Sequence, residues 1–154
     1  MEETLIIIKP DAIKKKYIGQ ILSRFENAGL NIAELKIERL SKSFVDKFYA
    51  HLKQKLHPKM LEDIHNFMTS HHVVVAILEG EEAITKTRAL CGPTDPAKAP
   101  KGTIRGDFAD DIMAERDKRH EATQNAIHSS GNAEEAKKEI SLIREFIKES
   151  SMQR

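Results

Sequence analysis

Thr4-Leu5-Ile6-Ile7-Ile8-Lys9-Pro10 is the stretch on which the fold turns. A short run rich in β-branched residues that ends at a proline reads as a strand buried on both faces. Lys9 and Asp11 then emerge at the end of that strand. Downstream, Ile18, Ile21, Leu22 and Phe25 recur at helical spacing, and Gly29 supplies the stop because glycine tolerates left-handed backbone. From Ala33 the period becomes two. Ala33, Leu35 and Ile37 take one face and Glu34, Lys36 and Glu38 the other, which predicts a half-exposed strand.

Phe44, Val45, Phe48, Tyr49, Leu52 and Leu56 predict one helical stripe, with Ser41 or Ser43 as N-cap. His57-Pro58 breaks it, and Met60, Leu61, Ile64, Phe67 and Met68 form a second stripe. Val73 to Leu78 reads as another buried strand. Glu79, Glu81 and Glu82 are expected to open a further helix, their charges placed at its positive end. The stretch from Gly92 to Glu121, with Pro93, Pro96 and Pro100, shows little periodicity and reads as a long functional loop. Asn132, with Glu135 in the capping-box position, starts a last helix whose buried stripe is Ala136, Ile140, Ile143 and Ile147. Strands and helices mix without strict alternation, which favours an α+β sandwich with a mostly antiparallel sheet.

The chain has 154 residues, 40% hydrophobic and 32% charged, so disorder is excluded and residues 1–154 are expected to form a single domain. Lys and Arg number 25 against 24 Asp and Glu, a net charge of +1. That balance lacks the cation surplus of a protein built to grip a nucleic-acid backbone. Cys91 is the only cysteine, so no internal disulfide or cysteine-pair zinc site is expected. The N-terminal apolar run Leu5–Ile8 is too short for a membrane span or signal core, and a cytoplasmic location is expected.

The polar residues of the second half suit phosphate. Arg88 lies near a helix end, Thr94 offers a hydroxyl, and Arg105 sits between Gly102 and Gly106. Guanidinium groups bind phosphate oxygens bidentately and hold their charge. Lys9 adds a point charge at a strand end. Read one by one, these are ordinary surface cations. Of the seven histidines, His71-His72 are adjacent, and His51, His57 and His65 lack zinc spacing, so no metal ligand set is expected. His128 stands where a strand meets Ser129-Ser130-Gly131, a place for a nucleophile or general base.

Four stretches change this picture together. Leu5-Ile6-Ile7-Ile8-Lys9-Pro10-Asp11-Ala12, Gly92-Pro93-Thr94-Asp95-Pro96, Gly102-Thr103-Ile104-Arg105-Gly106-Asp107-Phe108 and Asn125-Ala126-Ile127-His128-Ser129-Ser130 occur in that order. With Arg88 and Glu139 at fitting positions, the chain from about Thr4 to Phe146 resembles the nucleoside diphosphate kinase family. The resemblance implies a ferredoxin-like α/β sandwich, its four-stranded antiparallel sheet covered by helices. It implies a kinase that moves the γ-phosphate of a nucleoside triphosphate to a nucleoside diphosphate by a ping-pong route through phosphohistidine. His128 matches the nucleophile and Glu139, eleven positions on, the carboxylate that orients it. Lys9, Arg88, Thr94, Arg105 and Asn125 match phosphate and ribose contacts, Tyr49 a tyrosine near the γ-phosphate, and Ser130 a hydroxyl beside the nucleophile. Mg²⁺ is expected to arrive with the nucleotide, held by phosphate oxygens and water. A homo-oligomer, hexamer or tetramer, is implied as well.

Three departures stand out. The family's His-Gly-Ser-Asp-Ser reads His128-Ser129-Ser130-Gly131-Asn132, without the aspartate that makes a water-mediated metal contact. Between Tyr49 and Phe67 the chain is a few residues longer, and Met60 falls where an aromatic stacks on the base; it reads equally as core, starting the stripe Met60-Ile64-Phe67. The stretch between Arg105 and Asn125 is about ten residues longer than usual, in a region where insertions are tolerated. Two rival readings follow. One is a catalytically weakened relative that binds nucleotides and acts through protein partners. The other is an RNA-binding module that stacks bases on strand aromatics, which the strands Thr4–Lys9, Ala33–Ile37 and Val73–Leu78 do not carry.

Overall fold

A computed structural model describes residues 1–153. Strand β1 (Glu2–Ile8) is central and has Leu5, Ile6, Ile7 and Ile8 completely buried. It pairs antiparallel with β3 (Val73–Gly80) on one side and β4 (Ile127–Ser129) on the other. Strand β2 (Asn31–Glu38) completes a four-stranded sheet in the order β2-β3-β1-β4, with every pair antiparallel. Because side chains alternate along a strand, β1 and β3 feed two cores at once.

Ile6, Ile8, Val74, Ala76 and Leu78 face α2 (Ile18–Asn27) and α5 (Ala83–Cys91), packing with Ile21, Phe25 and Cys91. Leu5, Ile7, Val75 and Ile77 face α3 (Lys42–Phe48), α4 (Pro58–Thr69) and α8 (Ala133–Met152), packing with Phe44, Met68 and Ile143. Each such buried aliphatic chain contributes roughly 1.5–3 kcal/mol. Gly29, at φ +86°, turns the chain out of α2 toward β2. The helices on both faces of an antiparallel sheet give the expected α+β sandwich.

Several local expectations need correction. On β2, Leu35 and Ile37 are 47% and 64% exposed while Glu38 is buried. They share a face with Ala76 and Val74 through register, but β2 is an edge strand and both side chains stay open to solvent. The register also shifts between Ile32 and Glu34. The stripe from Phe44 to Leu56 is not one helix: α3 ends at Phe48 and a short 3₁₀ turn, Ala50–Leu52, follows. Glu79 is part of β3 rather than the opening of α5. The start of α5 is capped instead by Glu2, whose carboxylate accepts the Ile84 amide at 2.8 Å. The long stretch after Gly92 is not featureless, because it holds α6 (Ile104–Phe108) and α7 (Met113–Lys118). A five-residue helix, α1 (Pro10–Lys14), follows β1 directly.

Candidate active site

The register of β4 on β1 decides where His128 points. His128 pairs with Ile7, and cross-strand partners share a face, so the imidazole lies on the side of α3 and α8. Its ring meets Phe48 of α3 edge-on, centroids 5.0 Å apart. On α8, Glu139 belongs to the buried face with Ala136, Ile140 and Ile143. That face brings Glu139 Oε1 to 2.9 Å from His128 Nε2. The Ser130 hydroxyl donates to the same oxygen at 2.8 Å and accepts the Leu5 amide. An ionised carboxylate can only accept, so Nε2 carries the proton and Nδ1 keeps the lone pair. The sequence left the attacking nitrogen open. Burial raises the Glu139 carboxyl, but the His128 hydrogen bond and charge, with the Ser130 hydroxyl, outweigh it and hold the group below its usual range.

The cations gather at the same, C-terminal end of β1, where Lys9 follows Ile8. Lys9 Nζ donates to Asn125 Oδ1 at 2.8 Å, and Asn125 Nδ2 donates to the Thr94 carbonyl at 3.0 Å. Burial lowers the Lys9 ammonium to about 8, the charge of Arg105 adding to the fall and Asp11 opposing it. Arg105 is buried and spends two donors on backbone, Nη1 to Gly92 O at 2.8 Å and Nη2 to Ile127 O at 2.7 Å. Its Nε is buried with no partner among the described residues. Gly106 permits this packing, since a Cβ there would collide with the Pro100 carbonyl. The guanidinium of Arg88, exposed on the last turn of α5, makes no hydrogen bond or ion pair among the described residues. Its charge is felt at Arg105. Arg105 thus links the fields of Lys9 and Arg88, with Asp11 the carboxylate felt at Lys9, and the group forms a place for a polyanion.

A cavity of about 340 Å³ opens beside them. Lys9, Tyr49, Thr94 and Asn125 line its polar part, and Met60, Ile64 and Met113 are among its apolar walls. Met60 is half-buried there rather than sealed in the core. Burial, helped by the charge of Glu139, keeps the Tyr49 phenol protonated far above its usual range. The structure thus groups Lys9, Tyr49, Met60, Thr94 and Asn125 in one cavity and His128, Ser130 and Glu139 in one hydrogen-bonded cluster. Arg105 bridges the two regions through Gly92 and Ile127.

Asp11 is the site residue that sequence reasoning left without a role. It is buried, and its Oδ2 accepts the Ala126 amide at 3.0 Å. The signal was its place two residues after Lys9 in the first motif. Among the described residues no three acidic, histidine or cysteine groups converge as a metal cage. Gly131 replaces the family's aspartate, and the space its Cβ would need is taken by Glu135, whose carboxylate accepts the Gly131 amide at 2.9 Å. These donors fit an ion carried by phosphate oxygens rather than one held by the protein.

The comparisons with known proteins agree with this geometry. A family model described as nucleoside diphosphate kinase matches residues 2–148. The chain is 48% identical over 139 residues to nucleoside diphosphate kinase 1 of Protochlamydia amoebophila, covering 90% of this chain and 89% of that protein. It is 48% identical over 143 residues to the nucleoside diphosphate kinase of Campylobacter hominis, covering 93% and 95%. Among solved structures, the Borrelia burgdorferi nucleoside-diphosphate kinase, a transition-state mimic with bound vanadate and ADP, superposes with a TM-score of 0.86 at 32% identity, covering 92% of this chain and 85% of that one. An NDP kinase from Pyrobaculum aerophilum gives 0.83 at 31% identity, covering 92% and 94%. With the sheet order, the His128–Glu139 pair and a family match that runs across every residue of both, the chain belongs to the nucleoside diphosphate kinase family.

Proposed function

We propose that this protein transfers the γ-phosphate of a nucleoside triphosphate to a nucleoside diphosphate through phospho-His128. The observation that carries the reading is the 2.9 Å contact between His128 Nε2 and Glu139, which leaves Nδ1 free to attack. In the first half-reaction the Nδ1 lone pair forms the N–P bond as the bond from the γ-phosphorus to the β,γ-bridging oxygen breaks. The diphosphate leaves with that electron pair. In the second half, a terminal β-phosphate oxygen of an incoming diphosphate attacks the phosphorus, and the pair returns to Nδ1. The imidazole gains positive character while phosphorylated, and Glu139 compensates it through the Nε2 proton.

Lys9, Arg88 and Arg105 supply the positive field, and positioning with charge stabilisation carries most of the acceleration in such a transfer. Thr94 and Asn125 add polar contacts, and Tyr49 offers its hydroxyl near the phosphate end. When bound, Mg²⁺ neutralises phosphate charge, and the phosphates themselves are its main oxygen donors. The reading includes a single working domain, a cytoplasmic location and a homo-oligomer, hexamer or tetramer. Exposed Leu35 and Ile37 on the β2 edge support the last, being apolar surface that another copy would cover. No helix among the described residues is long and apolar enough to cross a membrane.

The test is to mix the protein with labelled ATP and Mg²⁺ and look for an acid-labile, base-stable phosphoprotein. His128→Ala should abolish both phosphoenzyme and transfer with the fold intact. Label persisting in the variant would overturn the assignment. Nucleotide binding without phosphoenzyme in the unaltered protein would point to the weakened relative, a reading that Gly131 in the aspartate's place favours.

A further inference from the structure

The longer stretch between Arg105 and Asn125 does more than extend the surface. It builds a wall of the cavity, contributing Met113, Asp117, Ala122 and Thr123. That wall is fastened to α4. The rings of His57 and His120 stack with centroids 3.9 Å apart and planes 16° from parallel. Asp63 of α4 accepts the Ala122 amide at 2.6 Å. Asp111 ties the wall to itself, accepting the Gln124 amide at 2.8 Å and pairing with Arg116 at 2.9 Å. Asp95 accepts the Met113 amide at 3.2 Å. The side chains on this wall therefore hold a fixed place relative to Met60 and Ile64 across the cavity.

Within the lining, Lys9 and Asp117 are the two charged residues. Lys9 comes from the end of β1 and Asp117 from α7. The cations around Asp117 are engaged elsewhere: Arg116 with Asp111, Lys118 with Glu115, and Arg119 with Glu121. The Asp117 carboxylate itself makes no hydrogen bond or ion pair among the described residues. Asp117 is exposed where it lines the cavity, so its carboxylate is open to an incoming ligand; it repels phosphates, which Lys9 attracts, and a nucleotide with its phosphates at Lys9 would turn its base toward Asp117.

We propose that Asp117 reads the base, its carboxylate accepting from the N1–H and exocyclic amine of a guanine seated between α4 and α7. The inference rests on the phosphotransfer reading above and extends it to substrate preference. An ionised carboxylate is an acceptor only, with two oxygens that suit two parallel donors. Guanine presents two adjacent N–H donors on one edge. Adenine and cytosine each place a ring-nitrogen acceptor beside their amine, and uracil flanks its single N–H with carbonyls, so each sets an acceptor against the carboxylate. The Thr123 hydroxyl, on the same wall, is the donor available to the guanine oxygen.

The experiment compares GDP, IDP and ADP affinities by calorimetry, with Mg²⁺, for the unaltered protein and Asp117→Ala. IDP keeps the N1–H and the oxygen but lacks the amine, so it isolates one hydrogen bond. GDP should bind about 10-fold more tightly than IDP, the scale of one hydrogen bond to a charged group. In Asp117→Ala that ratio should fall to near one, and GDP should lose more affinity than ADP. Equal affinities for GDP and IDP in the unaltered protein, or a ratio that survives Asp117→Ala, would overturn the proposal. A phosphoenzyme formed from ATP alongside equal GDP and IDP binding removes only the role of Asp117. No phosphoenzyme and no binding of any of the three removes the phosphotransfer reading and this inference with it.

Discussion

The Asp11 carboxylate accepts the Ala126 amide at 3.0 Å, across 115 positions of chain. Ala126 is completely buried at φ +73°, a left-handed backbone that a non-glycine residue adopts at a cost on the order of 1–3 kcal/mol. The Ile127 amide reaches back to the Asn125 carbonyl at 2.9 Å, closing a three-residue turn around Ala126. The Ala126 carbonyl accepts the Lys9 amide at 2.8 Å. This turn aims Asn125 at the Lys9 ammonium and, three residues later, His128 at α8.

Asp11→Ala should therefore cost both stability and rate. It leaves a buried amide without a partner, worth about 1–3 kcal/mol. Urea denaturation should report that loss, and single-turnover phosphorylation should slow with it. Asp11→Asn keeps an acceptor oxygen and should lose less of each. Two variants as stable and as fast as the unaltered protein would show that the turn is held by other contacts.

Lys9 makes activity and stability respond to pH in opposite directions. Burial, reinforced by Arg105, lowers its ammonium to about 8. Above that value the folded protein loses the charge that attracts phosphate, so kcat/KM for ATP should fall as pH rises through it. The unfolded chain keeps the proton up to the ordinary lysine value of about 10.4. Between the two the unfolded state binds more protons, and stability rises with pH. Lys9→Gln should flatten both profiles. A kcat/KM that stays level to pH 10 in the unaltered protein would contradict a charged Lys9 in phosphate binding.

Glu139→Gln tests the partner of the nucleophile. The amide oxygen can still accept from Nε2, but the charge that supports phospho-His128 is gone. The expected loss is on the order of 10-fold to 10³-fold in single-turnover phosphorylation, as for other single electrostatic groups. The sign of the acid response follows from the lowered Glu139 carboxyl. Its stabilisation is present above the usual carboxylate range and is lost as pH falls through the lowered value. The variant should lack that acid-side loss. An unchanged phosphorylation rate would remove Glu139 from the reaction.

Met60 lines the cavity together with Met113, which favours base contact over a purely core role. An aromatic face on a base is worth roughly 1–3 kcal/mol in single-stranded nucleic-acid sites, and a thioether offers no flat π surface. Met60→Phe should tighten ADP binding, with a smaller gain for CDP because its ring is smaller. Equal affinities with a lower melting temperature would return Met60 to the core.

The sequence by itself determined the elements whose signals are local. Leu5–Ile8 is a doubly buried strand because each residue carries its own apolar side chain and the backbone alternates their faces. Asn132 caps α8, its Oδ1 accepting the Glu135 amide at 2.8 Å, because capping needs only neighbours three positions apart. Even the buried stripe of α8 was written in its period. The tertiary structure alone decided the rest. Leu35 and Ile37 follow the period of a half-buried strand, yet only sheet order makes β2 an edge and exposes them. The free nitrogen of His128 depends on which ring atom faces α8, and that depends on the register of β4 against β1. Arg105 could be read as a phosphate ligand from its motif, but not as a tie between Gly92 and Ile127. Periodicity and capping act over a few residues of chain, whereas these contacts join residues 11 to 115 positions apart, and no local propensity encodes which distant groups share a face.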